Sequence, residues 1–362
     1  MLKWSSISFK FLNMNNNTTN RRGFLGTAAM TLAATQFGLL GSAIAEPGKA
    51  KSIGKTRVGS GISGSYGPLK QINAGLLNIG YADEGPANGP VVILLHGWPY
   101  DIYSFVDATA ILAAKGYRVI VPYSRGYGTT RFLSGETMRN AQQSAVALDV
   151  IALMDALKIR TAIIGGFDWG GRTADVLATL WPERCKGIVS VSGYLISTPE
   201  GNQTPLPPVP AFLFWYQYYF TTPMGKAGYA KYTHEFNKFI WHQASPKWDF
   251  DDATYERAAA SFDNPDHVDI VMHDYRWRLG MAEGERKYDH LEKRLAALSP
   301  ITVPAITMEG DSNGAIHAPD TAYRNRFSGK YDYRLITGGV GHNLPQEAPK
   351  DFAQAIIDVD GF

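Results

Sequence analysis

Residues 161–180, TAIIGGFDWGGRTADVLATL, display one carboxylate, Asp168, between two glycine pairs. Ala162–Gly165 is an uncharged run of strand character, and from Arg172 onward Ala174, Val176, Leu177 and Leu180 recur at helical spacing. A strand that turns sharply into a helix needs residues without Cβ on either side of the turn. The stretch therefore reads as strand, turn and helix, with Asp168 at the apex.

The surroundings have the same texture. Apolar runs at Gly75–Tyr81, Val91–Leu95, Arg118–Pro122 and Gly187–Ser192 alternate with helical patterns at Ile102–Lys115, Ala141–Leu157 and Arg172–Trp181. Near-continuous apolar strands separated by helices predict a mostly parallel sheet covered on both faces. The alternation stops near Tyr194, where Pro205, Pro207, Pro208 and Pro210 introduce a different texture that runs to Leu298. Phe212 to Phe250 holds 14 of the chain's 44 Phe, Trp and Tyr residues, and a helical, aromatic insertion between two parts of one sheet predicts a lid over the ends of the strands. Strands resume at Thr302–Met308 and Tyr331–Ile336, followed by a helix near Pro345–Val359.

Upstream, Asn20-Arg21-Arg22-Gly23-Phe24-Leu25-Gly26 precedes an uncharged, weakly apolar run from Thr27 to Ile44, and Ala43-Ile44-Ala45 has small residues where a signal peptidase cuts. Paired arginines before such a run resemble a bacterial twin-arginine export signal, which implies a periplasmic protein without a membrane anchor after processing. The expected divisions are the signal peptide at 1–45, a Gly/Ser/Lys-rich lead-in at 46–65, a core at 66–193, a lid at 194–298 and the second part of the core at 299–362. The leader carries Lys3, Lys10, Arg21, Arg22 and no acid, so of 35 basic residues 31 remain against 33 acidic ones. That balance gives no reason to expect nucleic acid as a partner. A single cysteine, Cys185, excludes an internal disulfide and a cysteine-built metal centre, and no histidine pair has metal-ligand spacing.

In an open α/β sheet, ligands bind beyond the carboxyl ends of the strands. Four motifs fall at such ends: His96-Gly97-Trp98-Pro99, Asp168, Asp311 and His342. Nucleophile, acid and histidine in that order resemble the α/β-hydrolases, and Gly166-Phe167-Asp168-Trp169-Gly170 has the spacing of their Gly-x-Ser-x-Gly elbow with aspartate in the serine's place. The triad expected from this order is Asp168, Asp311 and His342. After GIVSVS, where some relatives carry the acid, this chain has Gly193 and Tyr194, which favours Asp311.

An aspartate nucleophile narrows the chemistry to attack on a saturated carbon. The product is an ester whose carbonyl belongs to the enzyme, and His342 can activate water against it. The backbone N–H groups of Trp98 and Trp169 are the expected oxyanion hole. Esterase and peptidase activities are excluded, while an epoxide oxygen and a halide both remain as leaving groups. An epoxide oxygen departs as an alkoxide and needs a proton donor such as tyrosine; a halide needs only weak donors such as indole N–H.

Trp215-Tyr216-Gln217-Tyr218-Tyr219-Phe220 and Asp274-Tyr275-Arg276-Trp277 resemble the lid segments that carry the two ring-opening tyrosines of the α/β-hydrolase epoxide hydrolases. The resemblance runs from about Gly67 to the C-terminus and includes HGWP, Arg125-Gly126-Tyr127-Gly128 and GHNLPQEAP. It implies an α/β-hydrolase fold with an inserted lid, Tyr216 and Tyr275 as proton donors, no cofactor, and a small apolar epoxide plus water as substrates. Tyr218 and Tyr219 compete for the donor role. The chain departs from the family pattern at Phe167, where His is common, at HGWP in place of HGFP, and at Ser124, where Asp often precedes the arginine. Haloalkane dehalogenases share the Asp-Trp pair, and Trp98, Trp215 or Trp241 would supply their second halide donor. Fluoroacetate dehalogenases place arginine where Trp169 stands. A lidded binding protein without catalysis is the alternative from another class.

Overall fold

The computed structural model describes residues 64–362. The export signal and nearly all of the lead-in fall outside the described residues.

The strands are β1 (Lys70–Ala74), β2 (Leu77–Glu84), β3 (Val91–Leu95), β4 (Arg118–Pro122), β5 (Arg131–Phe132), β6 (Ala162–Phe167), β7 (Cys185–Val191), β8 (Ala305–Gly310) and β9 (Tyr331–Ile336). They form one sheet in the order β1-β2-β4-β3-β6-β7-β8-β9, with β5 beside β2. β1, β2 and β5 pair antiparallel, and β2 also meets β4 antiparallel. From β4 through β3 to β9 every pairing is parallel. The apolar runs are continuous because both faces are buried. In β3, Val92 and Leu94 enter one core while Ile93 and Leu95 enter the other. β1 (KQINA) and β5 lie at the sheet's edge, partly exposed, and carry no apolar run by which the sequence marks them.

Helices α1 (Val106–Ala114), α2 (Gln143–Ala156) and α3 (Trp169–Leu180) cover the first part of the sheet. Between the sheet neighbours β7 and β8 the chain is helical: α4 (Pro199–Asn202), α5 (Pro208–Leu213), α6 (Trp215–Phe220), α7 (Pro223–Lys231), α8 (Thr233–Ala244), α9 (Asp252–Ala259), α10 (His267–Arg278) and α11 (Asp289–Ala296). Helices α5 to α10 make the lid, while α11 packs on α2 and α3. The core closes with α12 (Asp320–Tyr323), α13 (Leu344–Glu347) and α14 (Pro349–Asp360). The single helix expected near Pro345–Val359 is broken at Ala348, which sits at φ −136° and ψ 60° because Pro349 disfavours helical backbone in the residue before it.

Candidate active site

Asp168 ends β6 and precedes α3 with φ 53° and ψ −122°, a backbone that non-glycine residues rarely adopt. Strain of this kind costs about 1–3 kcal/mol and persists only where packing dictates it. The glycines allow that packing. A Cβ on Gly170 would lie 1.8 Å from the carbonyl oxygen of Leu95, and one on Gly97 would lie 2.4 Å from Oδ1 of Asp168. α3 thus presses onto the end of β3, and the HGWP turn presses onto the carboxylate.

Oδ1 of Asp168 accepts a hydrogen bond from the Trp98 N–H at 2.8 Å, while Oδ2 lies 3.6 Å from Nε2 of His342. Burial pushes this carboxyl's pKa up, but the neighbouring His342 ring, the charge of Arg172 and the Trp169 N–H together hold it below the ordinary value. The carboxylate is therefore the resting form. Asp168 makes no side-chain capping bond to α3, so its side chain serves the site rather than the helix. His96 holds the HGWP turn: its Nδ1 meets the Gly97 carbonyl at 3.1 Å, and its Nε2 accepts from the Ser124 N–H at 3.1 Å.

His342 is set by the lid as well as by the core. Its backbone N–H donates to Oγ of Ser245, just past α8, at 2.9 Å, and Ser245 donates to Oε1 of Glu347 at 2.7 Å. Glu347 also accepts from the N–H groups of Gly341 and Asn343, at 2.6 and 3.1 Å.

Asp311, expected to orient His342, does not reach it. Its exposed carboxylate accepts instead from the N–H groups of Gly338 and Gly339, at 3.0 and 2.9 Å. The cause lies in the backbone. The N–H groups of Asp311 and Ser312 bond to the carbonyls of Ile336 and Val340, so the chain stays tied to the segment after β9 for two residues beyond β8. It turns back only at Asn313, whose N–H reaches the Gly310 carbonyl at 3.3 Å. Oδ1 of Asn313 then faces Nδ1 of His342 at 3.2 Å. The group facing the imidazole is an amide two residues beyond the expected acid.

Tyr216 on α6 and Tyr275 on α10 meet edge to face at 5.6 Å, and both pack on Trp98, at 5.1 and 5.3 Å between ring centroids. Burial and then the charge of Asp168 push the Tyr216 hydroxyl up to about 12. Burial, Tyr216 and Asp168 raise Tyr275 well above its ordinary value. Both hydroxyls remain protonated donors at neutral pH. Tyr218 is exposed, and Tyr219 stacks on Phe236 within the lid, so neither joins this group.

The indoles considered as halide donors have internal partners. Nε1 of Trp98 donates to the Tyr229 hydroxyl at 2.8 Å, Nε1 of Trp215 to Gln243 at 3.2 Å, and Nε1 of Trp241 to the Pro99 carbonyl at 2.7 Å. Nε1 of Trp169 is buried without a hydrogen-bond partner among the described residues. Within the same residues no cluster of His, Cys, Asp and Glu is arranged to hold a metal ion.

Asn313, Ser245, Glu347 and Glu309 were not singled out from the sequence. Ser245 and Glu347 reach His342 through backbone N–H groups, which leave no motif. Asn313 had a signal, since it lies in the same turn as Asp311, but residue type alone favoured the acid.

The family model of the α/β hydrolase fold matches residues 90–262. Epoxide hydrolase B of Mycobacterium tuberculosis is 37% identical over 112 residues, covering 31% of this chain and 31% of that protein. An epoxide hydrolase of Caballeronia sordidicola is 32% identical over 114 residues, covering 32% of this chain and 34% of that protein. The chain thus matches about a third of the length of these curated relatives. A crystal structure from Klebsiella pneumoniae, of a protein provisionally assigned as an epoxide hydrolase, is 60% identical with a TM-score of 0.81, covering 81% of this chain and 97% of that one. Likeness over nearly the whole of that structure, joined to an aspartate elbow beneath two lid tyrosines, has one consequence for classification: the chain belongs to the epoxide hydrolase family of the α/β-hydrolase fold.

Proposed function

We propose that the protein hydrolyses small apolar epoxides to vicinal diols through a covalent ester on Asp168. The observation that carries this reading is the division of labour at the carboxylate. One oxygen is held by the Trp98 N–H at 2.8 Å, and the other faces His342 with two buried phenols packed nearby. Oδ2 of Asp168 attacks an epoxide carbon, the carbon–oxygen bond breaks, and a tyrosine hydroxyl protonates the departing oxygen. The Asp168 charge that raises both tyrosine pKa values disappears as the ester forms. The donors thus become more acidic as the alkoxide appears.

In the second half, Nε2 of His342 takes a proton from water and the hydroxide attacks Cγ of Asp168. The negative charge then developing on Oδ1 falls on the Trp98 and Trp169 N–H groups. The ester bond breaks, the proton on His342 passes to the diol oxygen, and the acid proton that entered with the water's hydroxyl returns to the tyrosinate, which restores both the phenol and the Asp168 carboxylate. Trp98, Phe220 and the two tyrosines provide an apolar surround.

The test is His342→Ala, which should alkylate but not hydrolyse. Intact mass after incubation with a panel of epoxides should rise by one whole epoxide, mapped to Asp168, and Asp168→Ala should gain nothing. Haloalkane chemistry would add only an alkyl group. That second reading has one free indole, Trp169, in its favour but lacks the second donor, because Trp98, Trp215 and Trp241 are engaged. Tight binding without any adduct would favour a non-catalytic binding protein.

The paired arginines support export to the periplasm by the twin-arginine route. Replacing Arg21 and Arg22 by lysine should leave the precursor uncleaved in the cytoplasm, and normal processing would overturn the assignment.

A further inference from the structure

Behind His342 runs a polar chain that the reaction above has not used. Glu309, in β8, accepts at Oε1 from Nδ2 of Asn313 at 2.7 Å and from the Gly310 N–H at 3.1 Å. Its Oε2 lies 3.5 Å from Nδ1 of His317, whose ring stacks on His342 at 5.8 Å with an interplanar angle of 6°. Oδ1 of Asn313 accepts from the Ala315 N–H at 2.9 Å and faces His342 at 3.2 Å.

Hydrogen-bond polarity passes along this chain. A carboxylate only accepts and a backbone N–H only donates, so Glu309 and the Ala315 N–H together turn the Asn313 NH₂ toward Glu309 and its oxygen toward His342. An amide oxygen only accepts, so the imidazole proton must sit on Nδ1. The lone pair is then left on Nε2, the nitrogen facing Asp168. Were the amide turned over, its NH₂ would meet Nδ1 and drive the proton to Nε2, where it blocks proton uptake from water.

We propose that Glu309 is a positioning residue for the hydrolytic half-reaction, holding His342 in its base tautomer through the Asn313 amide and lending the imidazole the negative charge that Asn313 lacks. This role rests on the epoxide reading for its purpose, though not for its geometry. The other groups facing His342 do not duplicate it. Asp168 lies on the Nε2 side, Glu347 is committed to Ser245 and backbone N–H groups, and Tyr100 contacts the ring at 5.9 Å. His317 is held neutral, its pKa lowered by burial and then by His342 to about 3. Burial outweighs Asn313, His342 and the Gly310 N–H, so the Glu309 pKa stands above its ordinary value.

The test is ¹⁵N NMR of histidine-labelled protein, which separates the two tautomers without any substrate. Wild type should show His342 protonated at Nδ1 alone. Glu309→Gln should show a mixture, because a glutamine that turns its NH₂ toward Asn313 opposes the Ala315 N–H in setting the direction of that amide. In the mass assay the same variant should form the Asp168 adduct at the wild-type rate but release it at least about tenfold more slowly, since an imidazole in the wrong tautomer cannot take the water's proton. Adding Asn313→Asp to Glu309→Gln should restore both tautomer and release, since a carboxylate beside Nδ1 needs no orienting. Should Glu309→Gln fail to fold, Asn313→Leu cuts the same link with Glu309 in place and should give the same mixture. A pure Nδ1–H tautomer in either variant would overturn the proposal. So would equal loss of alkylation and release that Asn313→Asp does not repair. If no epoxide forms an adduct, the reaction fails while the NMR result still decides this point.

Discussion

The N–H of Trp98 lies 2.8 Å from Oδ1 of Asp168, so the donor that would stabilise the ester's oxyanion already holds one oxygen of the resting carboxylate. The other oxygen, 3.6 Å from Nε2 of His342, is left to attack. On the proposed mechanism water then enters at Cγ of Asp168 and not at the substrate. A single turnover in H₂¹⁸O should give an unlabelled diol, with the label in the peptide carrying Asp168. Label in the diol after one turnover would mean direct hydrolysis.

Asp311 and Asn313 make contrasting predictions. Asp311→Ala should lower stability slightly by releasing the Gly338 and Gly339 N–H groups, with turnover little changed. Asn313→Ala should slow ester hydrolysis and leave alkylation intact. Rapid-quench measurement of the two steps separates them, and a large loss of hydrolysis in Asp311→Ala would return the aspartate to the triad.

Replacing Tyr216 and Tyr275 together by Phe keeps the rings against Trp98 and removes both hydroxyls. Epoxide opening should fall by roughly two to four orders of magnitude, the usual range for general-acid catalysis. Circular dichroism should be unchanged. Unaltered opening would remove the tyrosines from the mechanism.

Two glycines should fail differently. Gly170→Ala places a Cβ 1.8 Å from the Leu95 carbonyl oxygen, a backbone clash that should cost roughly 3 kcal/mol or more in urea unfolding. Gly97→Ala meets the Asp168 side chain at 2.4 Å, so it should misplace the nucleophile and abolish alkylation at a smaller stability cost.

His267 predicts an acid slope. Its Nε2 meets the Tyr229 hydroxyl at 2.9 Å and its Nδ1 the Gly126 carbonyl at 3.0 Å, and burial lowers its pKa from 6.5 to about 3. Between those values the unfolded chain binds a proton that the folded one refuses. The contribution to stability is therefore full above 6.5 and shrinks as pH falls toward 3. His267→Gln should flatten the plot of unfolding free energy against pH in that window by about 1.4 kcal/mol per unit. Parallel curves for the two proteins would contradict the assignment.

The elbow, the sheet's parallel strands and the lid were legible because each is written in local pattern. Glycines flank Asp168, apolar runs mark the strands, and the density of aromatics marks the lid. β1 and β5 were not legible, since they lie at the sheet's edge and bury too little to need an apolar run. Asp168 and His342 likewise stand out by their places at strand ends in chain order. Which residue stands behind that histidine was decided elsewhere. Asp311 and Asn313 share one turn, and the backbone bonds from Asp311 and Ser312 to the segment after β9 swing the acid outward and the amide inward. Occupation of the Trp98, Trp215 and Trp241 indoles, and the hold of Ser245 on His342, also arise only when lid and sheet meet. Sequence records residue type and spacing, whereas the direction of a side chain past a turn depends on hydrogen bonds to chain far away.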